Sequence, residues 1–269
     1  MSEAFNLETI PRRNRTMTMI SLEGLPDIVP KMDLADEIHK ALSRQNESLI
    51  EGDILVIAHK VVSKSEGCVH NIDDIIASEK AHELAYETGK DARKIEIILR
   101  QSKRILRCHK RPEQQEGIII AEHKLGFICA NAAVDESNAD HQGQLITLPE
   151  DPDKSAHDIC QSLQERYQCQ LGIVISDTFG RPWRMGQTNV AVGIANVPGV
   201  KTMEGLPDAW GRELKVTAPA FADELAAASG LLMDKEGKCP VMIFRGLNWT
   251  PQKSTINQLI RPKREDLFR

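Results

Sequence analysis

The apolar run Leu171-Gly-Ile-Val-Ile175, followed at once by Ser176-Asp-Thr-Phe-Gly-Arg-Pro182, is the stretch that decides the expected fold. A short, branched apolar run that is bounded by polar and turn residues is typical of a buried β-strand. Enzymes of the α/β and α+β classes commonly carry their chemistry where such strands end. The stretch therefore predicts a buried strand that stops at a functional site containing Asp177 and Thr178.

Outward from this strand, the pattern predicts a mixture of helices and strands without regular βαβ alternation. Helices are expected after the capping residues Asp33, Ser78, Asp91 and Ser155, and over 220–233, with Gly89 separating the second helix from the third. The third helix is expected to carry an apolar face of Ile95, Ile98, Leu99 and Ile105. Further strands are expected at 18–22, 54–58, 118–121, 127–130, 190–194, 214–217 and 241–244. This order favours an α+β or mixed α/β fold over a doubly wound sheet.

The composition indicates an ordinary soluble enzyme. The 269 residues are 41% hydrophobic and 27% charged, and the net charge of −5 offers no basic surface for a nucleic acid. No stretch approaches the roughly 20 consecutive apolar residues of a membrane helix. We therefore expect small-molecule partners, with no nucleic acid and no membrane.

The domain organisation is expected to be simple. Residues 1–15 are interpreted as a loose amino-terminal extension, 16–250 as the functional domain with a candidate seam near 148–152, and 251–269 as a polar tail. The six cysteines are scattered without a CxxC pair, which indicates a reducing compartment, and a cytoplasmic location is expected. Cys68 with His70, and Cys108 with His109, resemble half of a zinc site, but no second half follows.

Polar clusters follow apolar segments at four places. Magnesium and manganese prefer oxygen ligands, and carboxylates or hydroxyls at strand ends can supply them beside a phosphate. The clusters are Lys64 with Glu66, Asp135 with Asn138, Asp177 with Thr178, and Asp223 with Glu224.

Each cluster also has a purely structural interpretation. Asp177 could close its strand with an Asx turn, and the two alternatives stay open. Asp135 could instead be a helix cap, and Asp223 and Glu224 could form a solvated helix face.

Several cations could bind phosphate groups, although each could equally lie on the surface. They are Lys60, Lys64, Arg181, Arg184 and Arg212. The chain has no Gly-x-x-x-x-Gly-Lys-Ser/Thr loop, no Gly-x-Gly-x-x-Gly after a strand and no Gly-x-Ser-x-Gly elbow. A fold other than P-loop or Rossmann is therefore expected for the nucleotide site.

Taken in order, several motifs resemble the coenzyme F420:L-glutamate ligase family over about Met19 to Leu247. The matching stretches are Gly24-Leu-Pro-Asp-Ile28, Val61-Val-Ser-Lys-Ser-Glu-Gly67, Gly126-Phe-Ile-Cys-Ala-Asn131, Asp135-Glu-Ser-Asn138, Asp151-Pro-Asp153, Ile175-Ser-Asp-Thr-Phe-Gly-Arg-Pro-Trp-Arg184, Gly211-Arg-Glu-Leu214 and Ala222-Asp-Glu-Leu-Ala-Ala-Ala228. The resemblance implies a family-specific fold of two subdomains with mixed sheets, and a homodimer.

The resemblance also implies the ligands. GTP, a co-substrate, is expected to contact Leu25, Pro26, Asp27, Ile28, Lys64 and Asn138. Two divalent ions, Mn²⁺ or Mg²⁺, are expected, one on Asp135 and Asp177 and one on Thr178, with K⁺ as a further cation. His59 and Lys60 stand where other members have small hydroxyl residues beside the nucleotide, so both are expected to contact it, and ATP stays an alternative.

The implied reaction is GTP-dependent transfer of L-glutamate onto the carboxylate of the F420 precursor through an acyl phosphate, with Lys64, Asp135 and Asp177 as catalytic residues. Two positions depart from the family. Ala133 stands where glycine is usual, and Lys235 stands where an acidic ligand of the second metal is found, so that Asp234 or Glu236 would have to substitute. A same-fold ligase for another small acid and a non-catalytic nucleotide-binding regulator are the alternatives.

Overall fold

The computed structural model describes residues 16–136, 143–233 and 238–266. Within these ranges the helices are α1 (Leu34–Arg44), α2 (His59–Ser65), α3 (Glu79–Thr88), α4 (Ala92–Gln101), α5 (Pro152–Tyr167) and α6 (Phe221–Ser229). The strands are β1 (Thr18–Leu22), β2 (Ile54–Ala58), β3 (Val69–Asn71), β4 (Ser102–His109), β5 (Ile118–His123), β6 (Ile128–Ala130), β7 (Gln144–Ile146), β8 (Gly172–Arg181), β9 (Arg184–Ala195) and β10 (Val241–Arg245). The predicted extension 1–15 lies outside the described residues.

The main sheet has five strands in the order β1-β10-β2-β8-β9. Strands β2 and β8 run parallel, with Ala58 opposite Ser176, and the other neighbouring pairs are antiparallel. Two smaller antiparallel sheets are formed by β3-β7 and by β4-β5-β6. These helices and mixed sheets confirm the predicted α+β or mixed α/β class.

Helices cover both faces of the main sheet, because successive strand residues point to opposite sides and both sides are apolar. One hydrophobic cluster joins the sheet to α1 and α5 through Leu55, Ile57, Ile173, Ile175, Ile38, Leu42, Ile159 and Leu163. The other joins it to α6 through Ile54, Val56, Val174, Met242, Phe244, Phe221 and Leu225. The parallel pair β2 and β8 is therefore buried on both sides, which explains its continuous apolar sequence.

A third hydrophobic cluster lies between α3, α4 and the sheet β4-β5-β6. Its buried members include Leu84, Ile95, Ile98, Ile119 and Ala121. Hairpin β5-β6, which the sequence predicted, approaches β8 through the edge-on contact of Phe127 with Phe179, whose ring centroids are 6.0 Å apart. This contact brings the third cluster to the strand that carries Asp177.

Three predicted helix caps are confirmed. Asp33, Ser78 and Asp91 accept hydrogen bonds from the backbone of the first turns of α1, α3 and α4. The predicted cap Ser155 is wrong, because α5 begins at Pro152 and Asp151 accepts the capping bond from Lys154 N. Proline suits the first helical position, where no backbone donor is needed, so the helix begins one turn earlier than predicted.

Other predicted boundaries are also wrong. Strand β8 does not stop at Ser176 but continues to Arg181, since β9 supplies backbone partners after β2 has ended. Ile105 lies in β4, where extended backbone has replaced α4. The segment 214–217 is a loop closed by the bond from Leu214 N to Leu206 O, and Val216 is 91% exposed.

The described part of the polar segment after residue 248 packs against the rest of the domain. The side chain of Ile256 is buried with the α6 cluster, and the Trp249 indole donates to Gly52 O at 2.8 Å. No helix in the described ranges is long and apolar enough to cross a membrane.

Candidate active site

A cavity of about 850 Å³ opens at the carboxyl end of the parallel strands β2 and β8. Strand β2 ends at Ala58 and α2 begins with the next residue, while β8 runs on past its last pair with β2. A register shift between Ile175 and Ser176 accompanies this change and leaves Val192 of β9 as the extra residue. Such bulges redirect side chains beside functional sites.

Nine of the predicted site residues line this cavity. They come from the loop after β1, from α2 and from β8, and are Leu25, Pro26, Asp27, Ile28, His59, Lys60, Lys64, Asp177 and Thr178. The fold therefore brings together segments that are far apart in the sequence. Across the mouth, Lys238 Nζ lies 3.1 Å from Asp27 Oδ1.

Helix α2 presents two pairs of side chains, each pair one helical turn apart. His59 and Ser63 form the first pair, with the imidazole Nδ1 3.2 Å from Ser63 Oγ. Lys60 and Lys64 form the second pair, and both lysines line the cavity. Helical spacing thus directs one imidazole and two cations from a single short segment towards the cavity.

His59 faces Asp177. Its Nε2 lies 3.3 Å from Asp177 Oδ1, and the exposed fractions of these side chains are 2% and 11%. The approach does not make a hydrogen bond, so Nε2 is a buried polar atom without a hydrogen-bond partner. Asp177 Oδ1 accepts instead from the backbone N–H of Thr178 at 2.6 Å.

Asp135 does not line the cavity itself but forms an ion pair with Lys60, which does. The Lys60 ammonium lies 2.7 Å from Asp135 Oδ2, and the backbone of Asp135 pairs with Ile146 in an isolated bridge. Asp135 does not cap a helix, because it is part of this extended bridge. Asn138, which the motif groups with it, lies outside the described residues.

Sequence reasoning missed Asn189, which lies opposite Thr178 in the β8-β9 pairing and lines the cavity. The Thr178 hydroxyl donates to Asn189 Oδ1 at 2.8 Å, which leaves the lone pairs of Thr178 Oγ1 for another group. The polar run Gln187-Thr-Asn189 before an apolar strand was the available signal. Only the register of the β8-β9 hairpin shows that this run places Asn189 opposite Thr178.

Two buried groups, His123 and Cys129, feel the charge of Asp177. Burial lowers the pKa of His123 to about 4 and raises the pKa of Cys129 to about 12. The charge of Asp177 opposes the first shift and adds to the second, so both groups are within electrostatic reach of its carboxylate. His123 Nδ1 accepts from Leu125 N, which puts the ring proton on Nε2. The carboxylate therefore lies among a neutral imidazole and a neutral thiol.

The remaining predicted cations lie elsewhere. Arg181 and Arg184 are exposed residues at the turn of the β8-β9 hairpin, where Arg181 donates to Met185 O, and Arg212 is exposed in the loop after β9. None of the three lines the cavity. Asp223 is not on a solvated face, since its Oδ1 accepts from Ala191 N, whereas Glu224 is exposed.

The donors beside Asp177 fit a divalent cation. In the described part of the chain no three His, Cys, Asp or Glu side chains form a ready-made cluster. Asp177 nevertheless offers a carboxylate, Thr178 offers hydroxyl lone pairs, and the unsatisfied Nε2 atom of His59 faces the same point. Asp234, Lys235 and Glu236, which bear on a second metal, lie outside the described residues.

Comparison with known proteins shows which family the chain belongs to. Residues 24–246 match the model of the F420-0:gamma-glutamyl ligase family. The chain belongs to this family. The matched range contains every residue that lines the cavity, so the candidate site lies wholly within the F420-0:gamma-glutamyl ligase domain.

Similar proteins cover nearly the whole chain. The coenzyme F420:L-glutamate ligase of Methanothermobacter thermautotrophicus is 41% identical over 94% of this chain and 99% of its own length. Proteins of the same name from Methanopyrus kandleri and Methanocaldococcus jannaschii are each 42% identical, over 89% and 81% of this chain and 92% and 85% of their own lengths. Membership of the F420-0:gamma-glutamyl ligase family thus rests on the domain as a whole.

Proposed function

We propose that this protein is a GTP-dependent ligase that joins L-glutamate to the carboxylate of the coenzyme F420 precursor, F420-0. The relatives named coenzyme F420:L-glutamate ligase support the reaction and the acceptor. The observation that carries the proposal from the structure is the cavity itself, where two lysines and a carboxylate-hydroxyl pair meet at the end of the parallel strands.

The proposed chemistry has two steps. A carboxylate oxygen of the acceptor attacks the γ-phosphorus of GTP, the bond to the β-γ bridging oxygen breaks, and GDP leaves. The α-amino nitrogen of glutamate then attacks the acyl carbon of the acyl phosphate, inorganic phosphate leaves, and the nitrogen loses a proton to form the amide. Activation is needed because a carboxylate has no stable leaving group, whereas an acyl phosphate releases a stable anion.

Lys60 and Lys64 are proposed to hold the phosphates. Both line the cavity from one side of α2, and Lys64 is 9% exposed. A partly buried ammonium interacts with a phosphate oxygen more strongly than one in open water, because the surrounding dielectric is lower. The segment Leu25 to Ile28 forms a largely apolar wall that we propose contacts the nucleotide and excludes water.

Asp177, Thr178 and Asp135 are proposed to hold the divalent cation or cations, Mn²⁺ or Mg²⁺. When bound, such an ion neutralises phosphate charge and orients the transferring group. Asp177 and Thr178 are both at the cavity wall, and Asp135 reaches it through its ion pair with Lys60. Lys60 would have to exchange Asp135 for a phosphate oxygen as the nucleotide enters.

One assay tests the function. The purified protein is incubated with GTP, Mn²⁺, glutamate and purified F420-0, and the products are weighed by mass spectrometry. The expected result is an acceptor heavier by glutamyl residues, with phosphate release and continued GDP formation only when acceptor and glutamate are both present. ATP replaces GTP in a parallel reaction, and a faster reaction with GTP is expected.

Other outcomes would overturn the proposal in different ways. Nucleotide cleavage with a different small acid, and none with F420-0, would favour a same-fold ligase with another acceptor. Tight nucleotide binding with no nucleotide cleavage in the presence of any acceptor would favour a non-catalytic nucleotide-binding regulator.

We also propose that the protein acts as a homodimer. The turn of the β8-β9 hairpin exposes Trp183 (82%) and Met185 (95%), and the segments after β9 and α6 expose Trp210 (87%) and Leu231 (81%). Large exposed apolar side chains are typical of surfaces that contact a second chain. A second copy of this chain is the proposed partner because closed symmetric dimers are the commonest assembly of soluble enzymes.

A further inference from the structure

His59 has an unusual environment for a polar side chain. The residue is 1% exposed, it lines the cavity, and its Nε2 has no hydrogen-bond partner. Buried polar atoms in proteins are nearly always paired, so an unpaired one on a side chain that lines a cavity calls for a missing partner. The partner must fit beside Asp177 Oδ1, which is 3.3 Å away.

The other ring nitrogen indicates what that partner is. Nδ1 lies 3.2 Å from the buried hydroxyl of Ser63, one helical turn along α2. If Nδ1–H donates to Ser63 Oγ, the lone pair of Nε2 faces the carboxylate of Asp177. Two acceptors that face each other repel unless a cation lies between them. A histidine that binds a metal through one ring nitrogen usually donates a hydrogen bond from the other, which holds the ring in place.

The spacing of the two atoms suits a shared ion. Metal bonds to nitrogen and oxygen ligands of about 2.1 Å place two adjacent ligands of an octahedral ion about 3 Å apart. The observed separation of 3.3 Å between Nε2 and Oδ1 is close to that value. Thr178 Oγ1, whose proton is used in its bond to Asn189, offers a further oxygen at the same cavity.

We propose that His59 Nε2 is a ligand of the divalent cation held by Asp177, and that this nitrogen makes the site select Mn²⁺ over Mg²⁺. Imidazole suits transition metals, while Mg²⁺ is bound almost wholly by oxygen, so a mixed nitrogen and oxygen set favours manganese. The inference rests on the proposed function, which puts a divalent cation at Asp177. It adds a metal ligand and the resulting choice of metal.

The test is spectroscopic and needs no turnover. Mn²⁺ is added to the full chain without nucleotide, and electron spin echo envelope modulation detects nitrogen bound to the ion. The wild type should show nitrogen modulation, which changes frequency when the histidines are labelled with ¹⁵N. His59→Gln should abolish the modulation and weaken Mn²⁺ binding about tenfold or more, and Mg²⁺ binding less than threefold.

His123→Gln is the matched control. His123 is equally buried and its Nε2 is also unpaired, but its Nδ1 accepts from Leu125 N, so Nε2 carries a proton and cannot bind a metal. This variant should keep the nitrogen modulation. Circular dichroism and Tm verify the fold of each variant, and if His59→Gln does not fold, loss of the signal in His123→Gln would by itself overturn the inference.

Two results separate this inference from the proposed function. Mn²⁺ bound to wild type without nitrogen modulation would show that His59 is not a ligand of the ion, and would overturn the inference even if F420-0 is glutamylated with Mg²⁺. Nitrogen modulation together with no glutamylation of F420-0 would keep the metal ligand and overturn the function.

Discussion

The side chains around Asp177 form the candidate active site. His59 Nε2 of α2 lies 3.3 Å from Asp177 Oδ1, Thr178 is the next residue on β8, and the neutral His123 is within electrostatic reach of the carboxylate. Because the carboxylate is mostly buried and accepts only one short backbone hydrogen bond in the described part of the chain, it retains lone pairs for a cation. The effect of changing Asp177 should therefore fall on function and not on folding.

Asp177→Asn should lower the rate of glutamyl transfer by about a hundredfold or more, since an amide keeps the shape but loses the charge that holds the cation. Product formation is measured by mass spectrometry at saturating GTP and Mn²⁺. Asp158→Asn, which changes an exposed carboxylate on α5, serves as the control and should leave the rate unchanged. Wild-type turnover by Asp177→Asn would contradict the metal assignment.

His123 should make the metal-free protein sensitive to mild acid. Burial lowers its pKa to about 4, against about 6.5 in the unfolded chain. Between these values the unfolded state binds a proton that the folded state does not. The stabilisation is therefore complete above about pH 6.5 and is lost as the pH falls towards 4, by about 3 kcal/mol.

Urea unfolding in EDTA at a series of pH values between 7 and 4.5 measures this loss. The free energy of unfolding of His123→Gln should fall less steeply with decreasing pH than that of wild type over this range. His157→Gln changes an exposed histidine on α5 and should follow the wild-type slope. Equal slopes for wild type and His123→Gln would show that His123 is not the source of the acid sensitivity.

At the scale of elements, the turn after β6 carries backbone strain. Asn131, Ala132 and Ala133 have φ angles of 51°, 48° and 55°, in the left-handed region that favours glycine. The family resemblance implied a position suited to glycine at Ala133. The left-handed conformation costs an alanine about 1–2 kcal/mol, and the turn persists because Ala132 is buried in the third hydrophobic cluster.

Ala133→Gly should raise the free energy of unfolding by about 0.5–1 kcal/mol, because relief of the left-handed strain exceeds the entropy cost of the added glycine. Denaturant unfolding gives the value. The matched control is Ala130→Gly in the preceding strand, where φ is −72° and no strain is relieved. That variant should be destabilised, and a destabilised Ala133→Gly would show that its methyl packing outweighs the strain.

At the scale of the whole molecule, the proposed homodimer would use the exposed apolar side chains of the β8-β9 hairpin. The double variant Trp183→Glu, Met185→Glu should be monomeric, because it puts like charges on a surface that has to lose water on association. Light scattering after gel filtration is expected to give twice the 30.0 kDa chain mass for wild type and a single chain mass for the variant. Tyr86→Glu, at an equally exposed position on α3, should remain dimeric.

Much of the fold could be predicted because its signals are local. The apolar runs of β2 and β8, the capping residues Asp33, Ser78 and Asp91, and the turn at Gly89 all depend on neighbours within a few residues. The strand predicted at 214–217 failed for the opposite reason. An alternating pattern forms a strand only where another strand is available to pair with it.

By itself, the sequence determined the family, the class of fold and nine of the residues that line the cavity, because the motifs and periodicities are carried by short segments. Only the tertiary structure decided which side chains meet, pairing His59 with Asp177, Lys60 with Asp135 and Thr178 with Asn189. These contacts depend on strand order, on the register of β8 with β9 and on where β2 gives way to α2. The physical reason is that local sequence sets the direction of a side chain, but its partner is set by how distant segments pack.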